Sequence, residues 1–378
     1  SNTIRFDHEI TEYPRLLSHA ETVDGASVQR SFYAYNFGGS EFYDGYENKS
    51  AVYLTDDWKV TDKLNIYLGG RLEYYTYKGK NLPFERYDNF HLGSVNPNSD
   101  SSQYGEIART SDFKGDYFNY SLTASGMYHV NEKLGMTADF TVTTKRPKIE
   151  DYATPDLPST KQTSIKLARG GIFYTNDWIS LTSLVSYITK VNNITTVGIT
   201  NPNPGSDEFK STTFNYDIET IGWTTDAVIK PFKNFNLHFL FTYQKPQYKK
   251  FEATVNFTDG TIANINASKN TVTEIPEVII EIDPSFALTP KMNIWTSFRY
   301  FSKTYANLSN ALYFNGRWET FGGVNYTLND HWALGVTVIN FLNQKGASGT
   351  IAGAELITKE QAENFNNTWM AGNYIRPF

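Results

Sequence analysis

The chain has 378 residues, no cysteine, a net charge of −6 and a mean hydropathy of −0.46. The lack of Cys excludes a disulfide framework, thiol catalysis and zinc–thiolate ligation, and the mild acidity argues against a nucleic-acid partner. No apolar run approaches the ~20 residues of a membrane helix, yet 26 Tyr, 26 Phe and 7 Trp make 16% of the chain, a share that fits aromatic girdles at two membrane interfaces.

Residues 1–47 carry the weakest pattern. Ser1 to Arg5 lacks the basic and apolar regions of a signal peptide, so either a mature chain begins here or the sequence is part of a longer one. Ile4, Phe6, His8 and Ile10 alternate with Arg5, Asp7 and Glu9, which predicts one strand. Residues 31–46 are dense in aromatics and glycines. They read as an exposed binding loop or as a strand end at a girdle.

The regular part starts near Ala51. Val52, Leu54, Trp58 and Val60 share a face, and Thr61-Asp62-Lys63 turns the chain into Lys63–Tyr77. There Leu64, Ile66, Leu68, Gly70, Leu72 and Tyr74 alternate with Asn65, Tyr67, Gly69, Arg71, Glu73 and Tyr75. A period of two means a strand with one apolar and one polar face. An ordinary globular strand has roughly 5 or 6 residues, and this run is far longer. Lys78–Gly115 is a polar excursion. Tyr117 to Val130 then pairs with Leu134 to Lys145 across Asn131-Glu132-Lys133. Ile165–Tyr174 pairs with Ile179–Val191, and Ile221–Ile229 with Phe235–Tyr243. Val278–Leu288 pairs with Met292–Tyr300, and Leu312–Leu328 with Trp332–Leu342.

Six hairpins with one strand before and one after make about 14 strands. Their tight turns are rich in Asn, Asp, Lys, Thr and Pro, whereas the connections between hairpins (79–114, 193–210, 246–275, 344–366) are long. This asymmetry predicts an all-β fold, an antiparallel transmembrane β-barrel over 1–378, with short turns on one side of the bilayer and long loops on the other. Residues 1–47 supply an uncertain strand plus loop, and 48–378 the successive hairpins. Two alternatives share the pattern. One is a self-contained passive channel of about 14 strands. The other is a soluble all-β glycan-binding or adhesion protein, whose apolar faces would be buried between two sheets.

Several stretches resemble the TonB-dependent outer-membrane receptor family. Tyr53–Val60 followed by Leu64-Asn65-Ile66-Tyr67-Leu68-Gly69-Gly70-Arg71-Leu72-Glu73-Tyr74 is similar to its signature hairpin. Val338-Ile339-Asn340-Phe341-Leu342-Asn343 is similar to its "v-NLF-n" segment, Lys145-Arg146-Pro147 to its Arg-x-Pro strand exit, and Gly372–Phe378 to the lead-in to its last strand. The resemblance implies part of a 22-stranded barrel, with about eight strands, the plug domain and the TonB box lying outside this chain. Pro377, which removes a ladder donor beside the end, suggests a few further residues. The implied function is active uptake of a scarce nutrient across the bacterial cell outer membrane. Siderophore, haem, cobalamin and glycan all remain open as substrate. The implied partners are the lipid bilayer, the plug domain and remaining strands of the full-length protein, and the TonB complex, with room for a surface lipoprotein.

No phosphate loop, nucleophile elbow or paired-acid motif stands in a suitable context, so no enzymatic role, catalytic residue or cofactor is expected. The six histidines share no ligand spacing, so no metal site is expected. Asp56-Asp57 reads as a solvated or plug-facing pair, and the sequon Asn193-Ile194-Thr195 carries no weight in a bacterial surface protein. Arg71, Glu73, Arg299, Arg317 and Glu319 fall on polar strand faces. They either line the lumen and meet the plug or pair across neighbouring strands for stability. Tyr43, Tyr46, Tyr87, Tyr104, Tyr152 and Phe209 are candidate extracellular-loop contacts for a ring-bearing ligand, or else loop packing and outer girdle.

Overall fold

A computed structural model of the chain describes residues 2–10, 14–23, 26–35, 39–82, 111–147, 161–206, 208–351, 354–363 and 373–374. In chain order the strands are β1 (Asn2–Ile10), β2 (Pro14–Val23), β3 (Ala26–Tyr35), β4 (Gly39–Lys59), β5 (Leu64–Leu82), β6 (Ser111–His129) and β7 (Leu134–Lys145). They continue as β8 (Thr163–Thr175), β9 (Ile179–Thr200), β10 (Phe209–Ile229), β11 (Phe235–Lys250), β12 (Glu252–Asn256), β13 (Ile262–Asn266) and β14 (Val278–Thr289). The last are β15 (Met292–Phe301), β16 (Thr304–Tyr305), β17 (Tyr313–Phe314), β18 (Arg317–Asn329), β19 (Trp332–Ile339), β20 (Ala347–Ser348) and β21 (Asn373–Tyr374), with one short helix, α1 (Lys359–Glu363).

Thirteen strands form one sheet in the order β1-β4-β5-β6-β7-β8-β9-β10-β11-β14-β15-β18-β19. All six expected hairpins are neighbours in it. The strand expected before them is β1, antiparallel to β4 with Phe6 opposite Tyr43. The strand expected after them is not in this sheet among the described residues: Asn373 and Tyr374 pair instead with Ser348 and Ala347. Beside it, β2–β3, β12–β13, β16–β17 and β20–β21 form separate two-stranded sheets. No described helix is long and apolar enough to cross a membrane.

The short turns repeat one device. Asn131 Oδ1 accepts from the backbone N–H groups of Lys133 and Leu134 at 2.8 and 2.9 Å. Asn176 does the same for Trp178 and Ile179, and Asn329 for His331 and Trp332. Thr61 Oγ1 substitutes for it at the first turn. A short side-chain oxygen mimicking a backbone turn is why these residue types close the hairpins.

The chain contacts divide into two compact units: residues 1–52, 72–119 and 147–160, and residues 53–71, 120–146 and 161–378. In the first, Tyr77 is buried and stacks on Tyr117 at 5.9 Å between ring centres.

In the second unit the two strand faces diverge. Leu122, Phe140, Val185, Ile221 and Val336 stand on the apolar face and are 49–65% exposed. Large apolar side chains presented this openly suit contact with hydrocarbon. Trp58, Trp178, Phe232 and Trp332 are exposed beside the short turns, the place of an interfacial aromatic belt. On the polar face, Thr123 and Thr141 hydroxyls meet at 3.2 Å, and those of Thr224 and Thr242 at 3.3 Å.

Beyond this band the chain departs from the expected loops. Residues 193–200 and 209–210 extend β9 and β10, and the 246–275 connection contains the β12–β13 hairpin. Within the β9–β10 ladder, Tyr216 faces Asn193 but Ile218 faces Lys190, so Asp217 opposes two residues, Val191 and Asn192. Asn192 has a left-handed backbone, φ 59°, and its N–H donates to Asp217 Oδ1 at 2.8 Å. A bulge of this kind adds one residue and reverses which side chains face which way. Past it, Val197 and Ile199 turn inward and pack with Phe214, Tyr248 and Phe251 against Val255, Phe257, Ala263 and Ile265 of the β12–β13 hairpin. Strand pairing continues there because the extra hairpin supplies a core for it.

Candidate functional site

Charged groups of the polar face form a row across five neighbouring strands of the second unit. Glu281 and Asp283 lie two apart on β14 and therefore share a side. Glu281 is directly opposite Arg299 on β15, and Arg299 directly opposite Glu319 on β18. Arg299 Nε is 3.9 Å from Glu281 Oε2, and the guanidinium carbon lies 5.3 Å from the Phe321 ring centre. Arg317 Nε donates to Glu319 Oε1 at 2.9 Å, and its guanidinium sits 4.9 Å from the ring centre of Phe301. In the other direction, His238 on β11 meets Asp283 Oδ2 through Nδ1 at 3.1 Å and Asp226 Oδ2 through Nε2 at 3.4 Å. Beyond β9, Arg169 Nε on β8 donates to both carboxylate oxygens of Asp139 on β7 at 3.0 Å.

Of the residues singled out from sequence, the structure thus joins Arg299, Arg317 and Glu319 in one cluster. Glu73 lies in the first unit, 3.1 Å from Lys49 Nζ, and accepts from Tyr75 Oη at 2.8 Å. Arg71 is exposed on β5. Tyr43 and Tyr46 stand within β4 and Phe209 opens β10, so these three are strand positions. Tyr46 is 45% exposed. Tyr87, Tyr104 and Tyr152 lie outside the described residues. Sequence reasoning placed His238 on a polar strand face as a structural histidine and passed over Asp226, Glu281 and Asp283. Their signal was parity combined with register, which places all four on one side once the hairpins are aligned.

A second polar cluster sits among the connections. Asp259 Oδ2 accepts from the side-chain amides of Asn201 and Asn203 at 3.0 and 2.9 Å, and Oδ1 from the Thr261 N–H at 2.9 Å. The Asn203 bond above all, then those from Thr261, hold the Asp259 carboxyl well below the usual range. Glu208 is also lowered, chiefly by the Thr258 hydroxyl at 2.6 Å. Lys303 is raised by its neighbour Tyr305. Among the described residues no group of three or more His, Asp or Glu is placed to hold a metal ion.

A family model described as "TonB dependent receptor-like, beta-barrel" matches residues 5–341. Among solved structures, the siderophore receptor PiuA from Acinetobacter baumannii aligns with a TM-score of 0.58 at 14% identity, covering 86% of this chain and 42% of that one. The ferric yersiniabactin uptake receptor FyuA from Yersinia pestis aligns at 0.57 and 11%, covering 84% and 44%. The copper transporter OprC aligns at 0.58 and 10%, covering 94% and 49%. At these identities the likeness is one of fold, and this chain spans less than half the length of each. A comparison with curated proteins returned no match.

Proposed function

This chain belongs to the TonB-dependent receptor β-barrel family, and from that premise we propose that it forms part of the barrel wall of an outer-membrane receptor that takes up a scarce nutrient with energy delivered through TonB. The plug and the remaining strands belong to the full-length protein. The observation that carries this reading is the pairing of an exposed apolar face with a charged row, Asp226–His238–Asp283/Glu281–Arg299–Glu319–Arg317, on the opposite face. Partly exposed ion pairs of this kind are each worth about 0.2–1 kcal/mol. Partners held that weakly can be exchanged. Arg299 and Arg317 can trade Glu281 and Glu319 for carboxylates or carbonyls of a plug, and a pulled plug can hand them back without a high barrier. A wall of aliphatic or tightly buried pairs would grip either nothing or too much.

The test uses the full-length protein in an outer-membrane host. Uptake of a panel of labelled nutrients, beginning with ferric siderophores and copper and extending to haem, cobalamin and oligosaccharides, is measured with and without functional TonB. Energised uptake of one nutrient that vanishes without TonB is expected. Flux that persists without TonB would replace this reading with the passive channel.

A further inference from the structure

Three long connections of the second unit, 246–275, 302–316 and 344–357, are bonded to one another through asparagine side chains. The 302–316 connection is the middle piece. On one side of it, Asn310 Oδ1 accepts from the Thr271 N–H at 2.7 Å and Asn310 Nδ2 donates to the Thr271 carbonyl at 2.9 Å. The side-chain amide thus stands in for one residue of a neighbouring strand. Asn270 Nδ2 donates to the Leu308 carbonyl at 2.7 Å, and the Glu274 N–H to the Tyr305 carbonyl at 3.0 Å. Leu308, from the middle piece, is itself buried in the core that holds Phe251.

On the other side, Asn307 is 2% exposed and uses its whole amide. Nδ2 donates to the Ala354 carbonyl at 2.8 Å and to Ser309 Oγ at 2.9 Å, while Oδ1 accepts from the N–H groups of Ala311 and Leu312 at 3.0 Å. Ser309 Oγ donates to the Ile357 carbonyl, and the Ile351 N–H to the Ala306 carbonyl. Ala306, Phe314, Ile351 and Ala354 form a second small core across this seam. Buried polar groups satisfied this fully resist piecemeal opening, because freeing one connection strands the donors and acceptors of the next. Position gives the assembly a use. Phe214, Tyr216 and Ile218 stand at even positions of β10, as does Asp226, so the core they carry lies on the charged side of the sheet. The 344–357 connection starts against the stem of Arg317, where a Cβ at Gly346 would run into Arg317 Cβ and Cδ.

We propose that the three connections form one gate leaf, which opens and closes on the charged side of the sheet as a unit and never one connection at a time. The gate rests on the uptake reading above, in which a nutrient passes this end of the wall on its way to the plug. A single leaf offers the arriving nutrient one preformed surface instead of three adaptable loops. Only one opening equilibrium then has to be shifted for passage.

Hydrogen exchange in the membrane-inserted full-length receptor separates one leaf from three loops. Among the described residues, the Asn307 side chain bonds to 344–357 but not to 246–275, and the Asn310 side chain to 246–275 but not to 344–357. Asn307→Ala and Asn310→Ala should each nevertheless speed exchange roughly tenfold at both connections, read at the Val272 and Glu274 amides and at the Ile351 and Ala354 amides. Amides of the β14–β15 ladder should keep their rate. Where Asn307→Ala does not insert, Ser309→Ala, which loses the hydroxyl bond to Ile357, carries the same test. Wild-type exchange at the connection remote from the change would overturn the leaf. Acceleration in the β14–β15 ladder as well would overturn it too, since the leaf would then be no separate body. Either result leaves the uptake reading standing, whereas flux that persists without TonB removes the gate's role even if the exchange pattern holds.

Discussion

Strand β9 passes through two regions with opposite rules. Val185, low on the strand, is 63% exposed, and Ile199, near its far end, is 1% exposed. Both are aliphatic and β-branched, so side-chain chemistry does not separate them. Their surroundings do. Around Val185 the sheet's apolar face is bare, and the medium that makes it stable is hydrocarbon. Around Ile199 the apolar side chains are instead gathered into a core with Phe251 at its centre, fully buried among Tyr216 and Tyr248. The bulge at Asn192 is the point where one rule yields to the other, because it turns the odd-numbered side chains from the bare face to the core. Burial therefore marks the stable arrangement in the cap, the core that Val197, Ile199, Phe214 and Phe251 form with the β12–β13 hairpin, and exposure marks it in the wall.

The largest effect should come from removing that switch. Deleting Asn192 restores a continuous ladder and rotates Val197 and Ile199 out of the cap core. Each loses the burial of an aliphatic side chain, so the cap should be weakened by about 3–6 kcal/mol. Limited proteolysis of the membrane-inserted receptor should cut the 246–275 connection while the wall remains heat-modifiable on gels. If the wall and cap unfold together, the two regions are one cooperative body and the comparison fails.

Phe251→Ala leaves the backbone in register and opens a hole in the same core. The ring is surrounded by Phe214, Tyr216 and Tyr248, at 6.1, 5.4 and 5.2 Å between ring centres. A loss of about 3–5 kcal/mol is expected, read as a lower denaturant midpoint for cap fluorescence. The same truncation at exposed Trp332 should barely move a cap signal.

In the wall the sensitive change is charge rather than volume. Leu122→Arg should cost about 2–4 kcal/mol of insertion energy if it faces the bilayer midplane. Thr123→Arg, one residue on and facing the polar side beside Thr141, should be tolerated. Folding yields into liposomes compare the two. Equal penalties would mean that the faces do not differ in solvent.

Most of the wall was legible because period-two alternation and Asn- or Thr-closed turns are local signals, and each is carried by a few adjacent residues. The v-NLF-n segment is a case in point: Asn340 takes φ 56° and brackets the backbone of Gln344 with its amide at 2.8 and 2.9 Å, ending β19 where the motif stands. The cap was not legible. Val191-Asn192 carries no mark of a bulge, and the partners of Phe214 lie some 40 residues onward in a segment whose composition reads as loop. The charged row was half legible for a similar reason. Arg299 and Glu319 announced themselves as charges in strands. His238 became significant only when register placed Asp226 and Asp283 on either side.

The smallest effect sharpens the boundary of the cap. Asp259 and Glu208 tie the 201–206 segment to the turn between β12 and β13, and both carboxyls are held below their ordinary range, by Asn203 and Thr258 respectively. A carboxylate whose folded pKa is depressed stabilises above its unfolded pKa, near 4, and loses that contribution as pH falls through the folded value. The tie should thus be unchanged from neutral pH down to about 5 and loosen only in more acid solution. The exposed apolar stripe of the wall carries no charge and has no such response. Cysteines placed at Gly205 and Ile262, in a stretch without native Cys, can carry spin labels whose separation reports the tie. The separation should widen at low pH, and Asn203→Ala should move that widening upward toward the ordinary carboxylate range. A widening already present at pH 6 in the wild type, or one that ignores Asn203→Ala, would show that the hydrophobic core alone holds the cap and that these carboxylates are passengers.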